Sequence, residues 1–285
     1  MDISEIKSKA KEMLKGNWLM LFGALVFVQV LATAFGFIPP HWSRMVPSTD
    51  LLTGEPFEYD MPLGGLGSYI WIVLNSIFIL GVINMFLGAY RGEKVVFKNV
   101  FSGFANWWRA ILLGSFRIIL ICVFFIVSII PLAVAQFYAP NLANQETAYL
   151  VVLSFGLALT FFLIGWTILK AVRFSQSMYV LSENPEIKFM DAIRKSDGLM
   201  VGKFWKYITL HISFAGWLLV YLVVYMIFMM PFGLLGISEE MVEANIWYGL
   251  ASDAILVIPF MFLWTYVRGA QAVFYKSLKA NDDEE

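Results

Sequence analysis

The 285-residue chain is 60% hydrophobic, 17% aromatic and only 14% charged, against roughly 25% charged residues in a soluble domain. Its formal net charge of -1 and pI near 6.2, with no basic stripe apart from the flanks of apolar runs, give no reason to expect a nucleic-acid partner. One cysteine, Cys122, inside an apolar run, excludes a disulfide framework and a cysteine metal cluster.

Residues 1–15 read as an interfacial helix. Asp2 and Glu5 suit its N-terminus, Ile3, Ile6, Ala10, Met13 and Leu14 share a face, and Lys7, Lys9, Lys11 and Lys15 supply cationic flanks. The spacing predicts a helix lying along the inner leaflet. No cleavable signal peptide is expected, because charged, helix-patterned sequence precedes the first apolar run.

The apolar excess then falls in runs of twenty or more residues, enough for a helix rising 1.5 Å per residue to cross a hydrocarbon core of about 30 Å. Six spans are predicted, at about Trp18 to Ile38, Ser68 to Tyr90, Ala110 to Pro131, Ala148 to Leu169, Tyr207 to Pro231 and Trp247 to Tyr266. The fold class is therefore all-α, a polytopic membrane helix bundle forming one domain over 1–285. The sixth span contains Asp253 and Pro259, and proline is tolerated where neighbours satisfy the freed carbonyl.

Orientation follows from the basic residues, which are retained in the cytoplasm. Along alternating non-membrane segments, Lys plus Arg runs 4, 1, 5, 0, 7, 0 and 3, so nineteen of twenty fall on one face. Both termini are expected to be cytoplasmic. The outer loops carry Arg44 as their only basic residue, with Asp50, Glu55, Glu58 and Asp60 in the first loop. Glu55, Glu58 and Asp60 offer carboxylates to a cation but lack calcium-loop spacing, and a solvated loop is the ordinary reading.

Three copies of one unit are visible. Each odd-numbered span follows an amphipathic stretch ending in glycine and then tryptophan: MLKGNW to Trp18, VFSGFANW to Trp107 and LMVGKFW to Trp205. These spans close at Pro39, Pro131 and Pro231. The even spans end in RGEKVVF from Arg91, RFSQSMY from Arg173 and RGAQAVF from Arg268. The arginines are 82 and 95 residues apart and Gly16, Gly103 and Gly202 are 87 and 99 apart, nearly one period from two markers. The units cover about 1–97, 98–180 and 184–276, followed by an acidic cytoplasmic tail, 277–285. In the third, Asn184 and Pro185 open a helix with Ile187, Met190, Ile193 and Met200 at helical spacing.

Ionisable residues inside spans are candidates for function. Arg109 and Arg117 have reach enough to snorkel to the inner headgroups, while Arg91, Lys170, Arg173 and Arg268 sit at cytoplasmic ends where anionic lipid phosphate is the common partner. A specific phosphate pocket between the repeats is the sharper alternative. His211 and Asp253 suggest a proton relay, but lie at depths on the order of 15 Å apart, which disfavours direct pairing. Asn75 and Asn84, nine residues apart, are expected to bond across helices within the bundle. No GxxxxGK[ST], HExxH, CxxC or GxSxG pattern occurs, so neither an enzyme, a metal site nor a cofactor is expected.

Four stretches carry a family resemblance: IKSKAKEMLKGNW, RGEKVVFKNVFSGF, MYVLSENPEIKFMDAIRKSDGLMVGKFW and the closing Gln271 to Tyr275 segment. The chain resembles the bacterial membrane-protein family called domain of unknown function 975, over almost its whole length. Leu132 follows Pro131 where the family usually has glycine, and the first outer loop is long. The resemblance implies a polytopic protein of the bacterial plasma membrane with no assigned reaction. A looser similarity to the membrane domains of some glycerophosphodiester phosphodiesterases transfers no lipid hydrolysis, since no catalytic domain is present.

Together these readings lead to a non-enzymatic envelope protein whose partners are the lipid bilayer, anionic lipid headgroups or another membrane protein. The competing class is a transporter or permease moving a small molecule or peptide, which requires a polar constellation at mid-depth.

Overall fold

The structure, a computed structural model, describes the backbone of residues 1–36, 38, 41–49, 56–138, 146–234 and 246–282, and the side chains of 1–36, 38, 65–138, 147–148, 150–223, 225–227 and 257–280. In chain order it comprises α1 (Ile3–Leu14), α2 (Trp18–Gly36), β1 (His41–Thr49), β2 (Pro56–Gly65), α3 (Leu66–Tyr90), a 3-10 segment (Phe97–Asn106), α4 (Trp107–Tyr138), α5 (Glu146–Arg173), a short 3-10 turn (Phe174–Gln176), α6 (Ser177–Glu183), α7 (Phe189–Leu199), α8 (Phe204–Ile212), α9 (Ala215–Leu234) and α10 (Ile246–Asp282). Six helical stretches are long and apolar enough to cross a membrane: Trp18–Gly36, Leu66–Tyr90, Phe97–Tyr138, Leu150–Glu183, Phe204–Ile227 and Val257–Ala280.

The bundle is organised around two of them. In α3, Ile77, Leu80, Val82, Ile83 and Met85 to Ala89 are almost entirely buried, and in α10 so are Ala270 and Ala272 to Tyr275. By contrast α4, α5 and α9 display Phe125, Ile126, Phe155, Phe161, Phe162 and Ile227 outward. That surface is costly in water and ordinary in lipid. The tight core thus sits at the end of the bundle that carries α1, α6, α7 and the last turns of α10, the same end that gathers the basic residues. We call it the basic face.

Helix α1 shows why the core is there. Its stripe Ile6, Ala10 and Leu14 is fully buried, and it packs against α10. The sequence reading laid this stripe on the lipid surface; the structure turns it onto protein. The cause is the length of α10, which runs well past the predicted end at Tyr266 and into the predicted acidic tail, as far as Asp282. At Gly269 a β-carbon would come within 3.1 Å of both Leu14 and Met13, so the missing side chain admits α1 closely. Lys7 ties α1 to the junction between α8 and α9 as well. Its Nζ donates to the Ser213 carbonyl at 2.8 Å and sits 4.5 Å from the Phe214 ring centre. Burial there lowers the Lys7 ammonium below its ordinary value, with the like charge of Lys11 adding to the shift.

The three glycine–tryptophan markers have different local forms. Gly16 and Gly202 adopt φ of 86° and 69°, letting the chain turn from α1 into α2 and from α7 into α8. Gly103 instead lies within the 3-10 segment, where it touches α3. Accordingly Gly16→Ala and Gly202→Ala should each lower stability by about 1–2 kcal/mol, with asparagine costing less. Thermal unfolding of the detergent-solubilised protein measures this, and an unchanged midpoint in both alanine variants would contradict the left-handed turn.

Two of the predicted span-closing prolines do not end helices. Pro131 lies inside α4, which continues to Tyr138, and α9 continues past Pro231 to Leu234; Pro39 lies outside the described residues. At the Pro131 level α5 presents Gly156, whose added β-carbon would come 2.5 Å from Ala135 and 3.1 Å from the Pro131 carbonyl. Ser128 and Thr167 hydroxyls, 3.0 Å apart, join the same two helices. Such neighbours support a helix that has lost one backbone bond. Between α2 and α3 the chain forms an antiparallel hairpin in which Val46 pairs with Tyr59, with an irregularity between Trp42 and Ser43. From sequence this stretch is expected to be a loop.

Candidate functional site

Five arginines were candidates for anion binding, and the structure divides them. Arg91 pairs with Glu93 at 2.5 Å, Arg109 with Glu186 at 3.3 Å and Arg173 with Asp197 at 3.3 Å. Arg109 also donates to the Pro185 carbonyl, tying α4 to the start of α7. These three have carboxylates of their own. Among the described residues, neither Arg117 nor Arg268 makes an ion pair.

Arg117 and Arg268, on α4 and α10, lie close enough to act on one another as like charges. From sequence, Arg117 is expected to snorkel toward the inner headgroups. In the structure it is half-buried and within electrostatic reach of Arg268 and Tyr207. Its neighbour Phe116 meets Phe189 of α7 with ring centres 5.5 Å apart, so this part of α4 is enclosed by the basic-face helices.

Arg268 is held in place by a chain of hydrogen bonds. Its Nη1 donates to Gln271 Oε1 at 3.1 Å, Gln271 Nε2 meets His211 Nε2 at 2.8 Å, and His211 Nδ1 lies 2.8 Å from the Tyr207 carbonyl. The arginine is a donor only, so it sets the Gln271 amide with its oxygen toward Arg268 and its NH2 toward the imidazole. His211 Nε2 must then accept while Nδ1–H donates, which makes the ring a neutral positioning group. The guanidinium also lies 5.0 Å from the Trp264 ring centre, a cation–π contact.

Beside Arg268 is a cavity of about 170 Å³ whose polar lining comes from Gln29, Asn75, Tyr179 and Arg268, with Leu25, Ile79, Ile83, Phe86 and Met261 among its apolar walls. The Tyr179 side chain is 3% exposed. Its hydroxyl borders Arg268 and has no partner of hydrogen-bonding geometry.

The remaining polar candidates go elsewhere. Asn84 donates to the Ser102 hydroxyl at 2.8 Å and accepts from Ser182, joining α3, the 3-10 segment and α6. That is a structural crosslink. Asp253 lies on α10, with its side chain outside the described residues, as are Glu55 and the side chains of Glu58 and Asp60.

A second concavity, about 400 Å³, runs between α2, α9 and α10 and is lined by Trp18, Trp217, Val220, Pro259, Phe262 and Tyr266, with Lys11 at its mouth. The Lys11 ammonium is 5.8 Å from the Tyr266 ring centre, and the Trp18 and Phe262 rings are 4.7 Å apart. The buried Trp18 indole N–H has no partner among the described residues. From Tyr266 to Pro259 the groove climbs about 10 Å along α10.

The family model for "Protein of unknown function (DUF975)" matches residues 1–282. The chain belongs to this family. No curated protein and no solved structure matches it. DUF975 membership covers the whole bundle, including both concavities, and assigns no activity to either.

Sequence reading of this DUF975 chain missed Gln29, Tyr179, Tyr207 and Gln271. A signal for two of them existed. The marker beginning at Arg173 ends in Tyr179, and the one beginning at Arg268 contains Gln271. Their inward direction was invisible until the helices were packed.

Proposed function

We propose that this DUF975 protein is a non-enzymatic protein of the bacterial plasma membrane, with both termini in the cytoplasm, that binds an anionic phospholipid of the inner leaflet. The observation that carries the reading is the groove between α2, α9 and α10. Its apolar walls belong to three membrane-crossing helices, so an acyl chain is the occupant its surroundings supply. Lys11 stands at the mouth, at the level where a lipid phosphate lies. Exposed Trp107 and Trp205 at the same end suit the interfacial belt, and the concentration of basic residues there favours the cytoplasmic side.

The test places the full chain in nanodiscs of mixed phosphatidylglycerol and phosphatidylcholine and reads the retained lipid by native mass spectrometry. Wild type should enrich phosphatidylglycerol, and Lys11→Gln should reduce that enrichment about fivefold, the effect of roughly 1 kcal/mol for one basic residue near a headgroup. Equal retention of both lipids by wild type would sink the reading.

Transport is the second reading, favoured by the polar cavity containing Gln29, Asn75 and Arg268. Against it, Asn84 is engaged in crosslinking and Pro259 lines the other concavity. Solute flux in proteoliposomes that disappears in Asn75→Leu would place transport first.

A further inference from the structure

We propose that the cavity beside Arg268 is a second, buried site that binds a phosphate group, separate from the lipid groove. Two observations converge. Two guanidinium groups act on each other as like charges with no carboxylate paired to either among the described residues, whereas Arg91, Arg109 and Arg173 all have one. Buried charge without a counterion is strongly disfavoured, and an anion entering here relieves both cations at once. The Tyr179 hydroxyl, on a side chain 3% exposed, lies beside Arg268, itself a donor, and finds no acceptor of hydrogen-bonding geometry; Tyr179 lines the same cavity. It is a donor awaiting an acceptor.

The lining chemistry matches an oxyanion. Arg268 offers N–H donors, Tyr179 an O–H, and the Asn75 and Gln29 amides NH2 groups, all on the wall of one cavity. Arg117 adds long-range charge. The Gln271–His211 relay holds Arg268 by one nitrogen and leaves others for a ligand. The volume, about 170 Å³, is several times the roughly 30 Å³ share of one water molecule, which suits a phosphate and its immediate substituents.

The phosphate has two sources, a free ion or a lipid headgroup, and two probes separate them. Delipidated full-length protein in detergent is titrated with radiolabelled inorganic phosphate, and the same preparation is titrated with short-chain phosphatidylglycerol under native mass spectrometry. At least one probe should bind saturably, one per chain. Tyr179→Phe should weaken it about tenfold and Arg268→Gln on the order of a hundredfold, while Arg91→Gln leaves it unchanged. Binding of phosphate identifies a free-ion site; binding of the lipid alone, weakened by Tyr179→Phe and unchanged by Lys11→Gln, identifies a headgroup site. If Arg268→Gln does not fold, Tyr179→Phe, which removes one hydroxyl, decides. Absence of saturable binding of both probes, or wild-type affinity in Tyr179→Phe, overturns the proposal. Lys11→Gln reports only on the groove, so either site can fail without the other.

Discussion

Alanine at Gly103 or Gly81 should unfold the bundle locally or prevent its assembly, the largest single-residue effect expected outside the anion site. A β-carbon at Gly81 would lie 1.8 Å from the Val100 carbonyl oxygen, and one at Gly103 would lie 2.0 Å from the Ile77 carbonyl oxygen. Both obstacles are backbone atoms, so no rotamer change relieves them. The 3-10 segment and α3 must separate, and with them the Asn84–Ser102 bond. Overpacking of this kind costs about 3 kcal/mol or more. The contrast is Gly23→Ala and Gly165→Ala, where nothing lies within 4 Å. In those two helical positions alanine should be neutral or stabilising by up to about 1 kcal/mol. Monodisperse yield and unfolding temperature in detergent compare the four, and equal midpoints would refute the close packing of α3 on the 3-10 segment.

Glu183→Ala should release the last turns of α10. The Glu183 side chain is 7% exposed at the end of α6, and it accepts from Tyr275 at 3.0 Å, from Lys279 at 2.9 Å and from Lys276. Tyr275 in turn stacks on Tyr179 with ring centres 5.3 Å apart. Removing one partner of a buried ion pair leaves charge unsatisfied, at a cost of about 3–5 kcal/mol. Because the Lys279 side chain is 35% exposed, solvent takes up part of that loss and about 2 kcal/mol is expected. Limited trypsin digestion should then cut after Lys276 or Lys279 in the variant before it cuts wild type. Arg194→Gln, which breaks an exposed pair with Asp191, should change neither digestion nor stability measurably.

The three glycines and the three arginines of the sequence markers serve different ends in the fold. Gly16 and Gly202 are required by a left-handed backbone, Gly103 by a close approach. Arg91 and Arg173 end in carboxylate pairs, whereas Arg268 faces a cavity. Residues alike in local sequence therefore meet different surroundings, because each stretch packs against different neighbours. Prolines were misread for a related reason. Pro131 removes one backbone bond, which suggests a helix end, yet Gly156 and the Ser128–Thr167 pair let α5 support α4 through it.

Sequence alone determined the six crossings, since crossing a bilayer depends on the length of a continuous apolar run, a local property. It also determined the amphipathic stripe of α1, the concentration of cations on one set of segments and the family. Tertiary structure alone decided that the α1 stripe faces protein, that α3 and α10 form the centre, and that Arg117 and Arg268 come within electrostatic reach of one another. Those two arginines are 151 residues apart, and their proximity depends on which helix faces turn toward each other. Apolar faces can be buried against lipid or against other helices, so hydrophobicity does not choose between them. Close packing at small residues and the pairing of buried polar groups does.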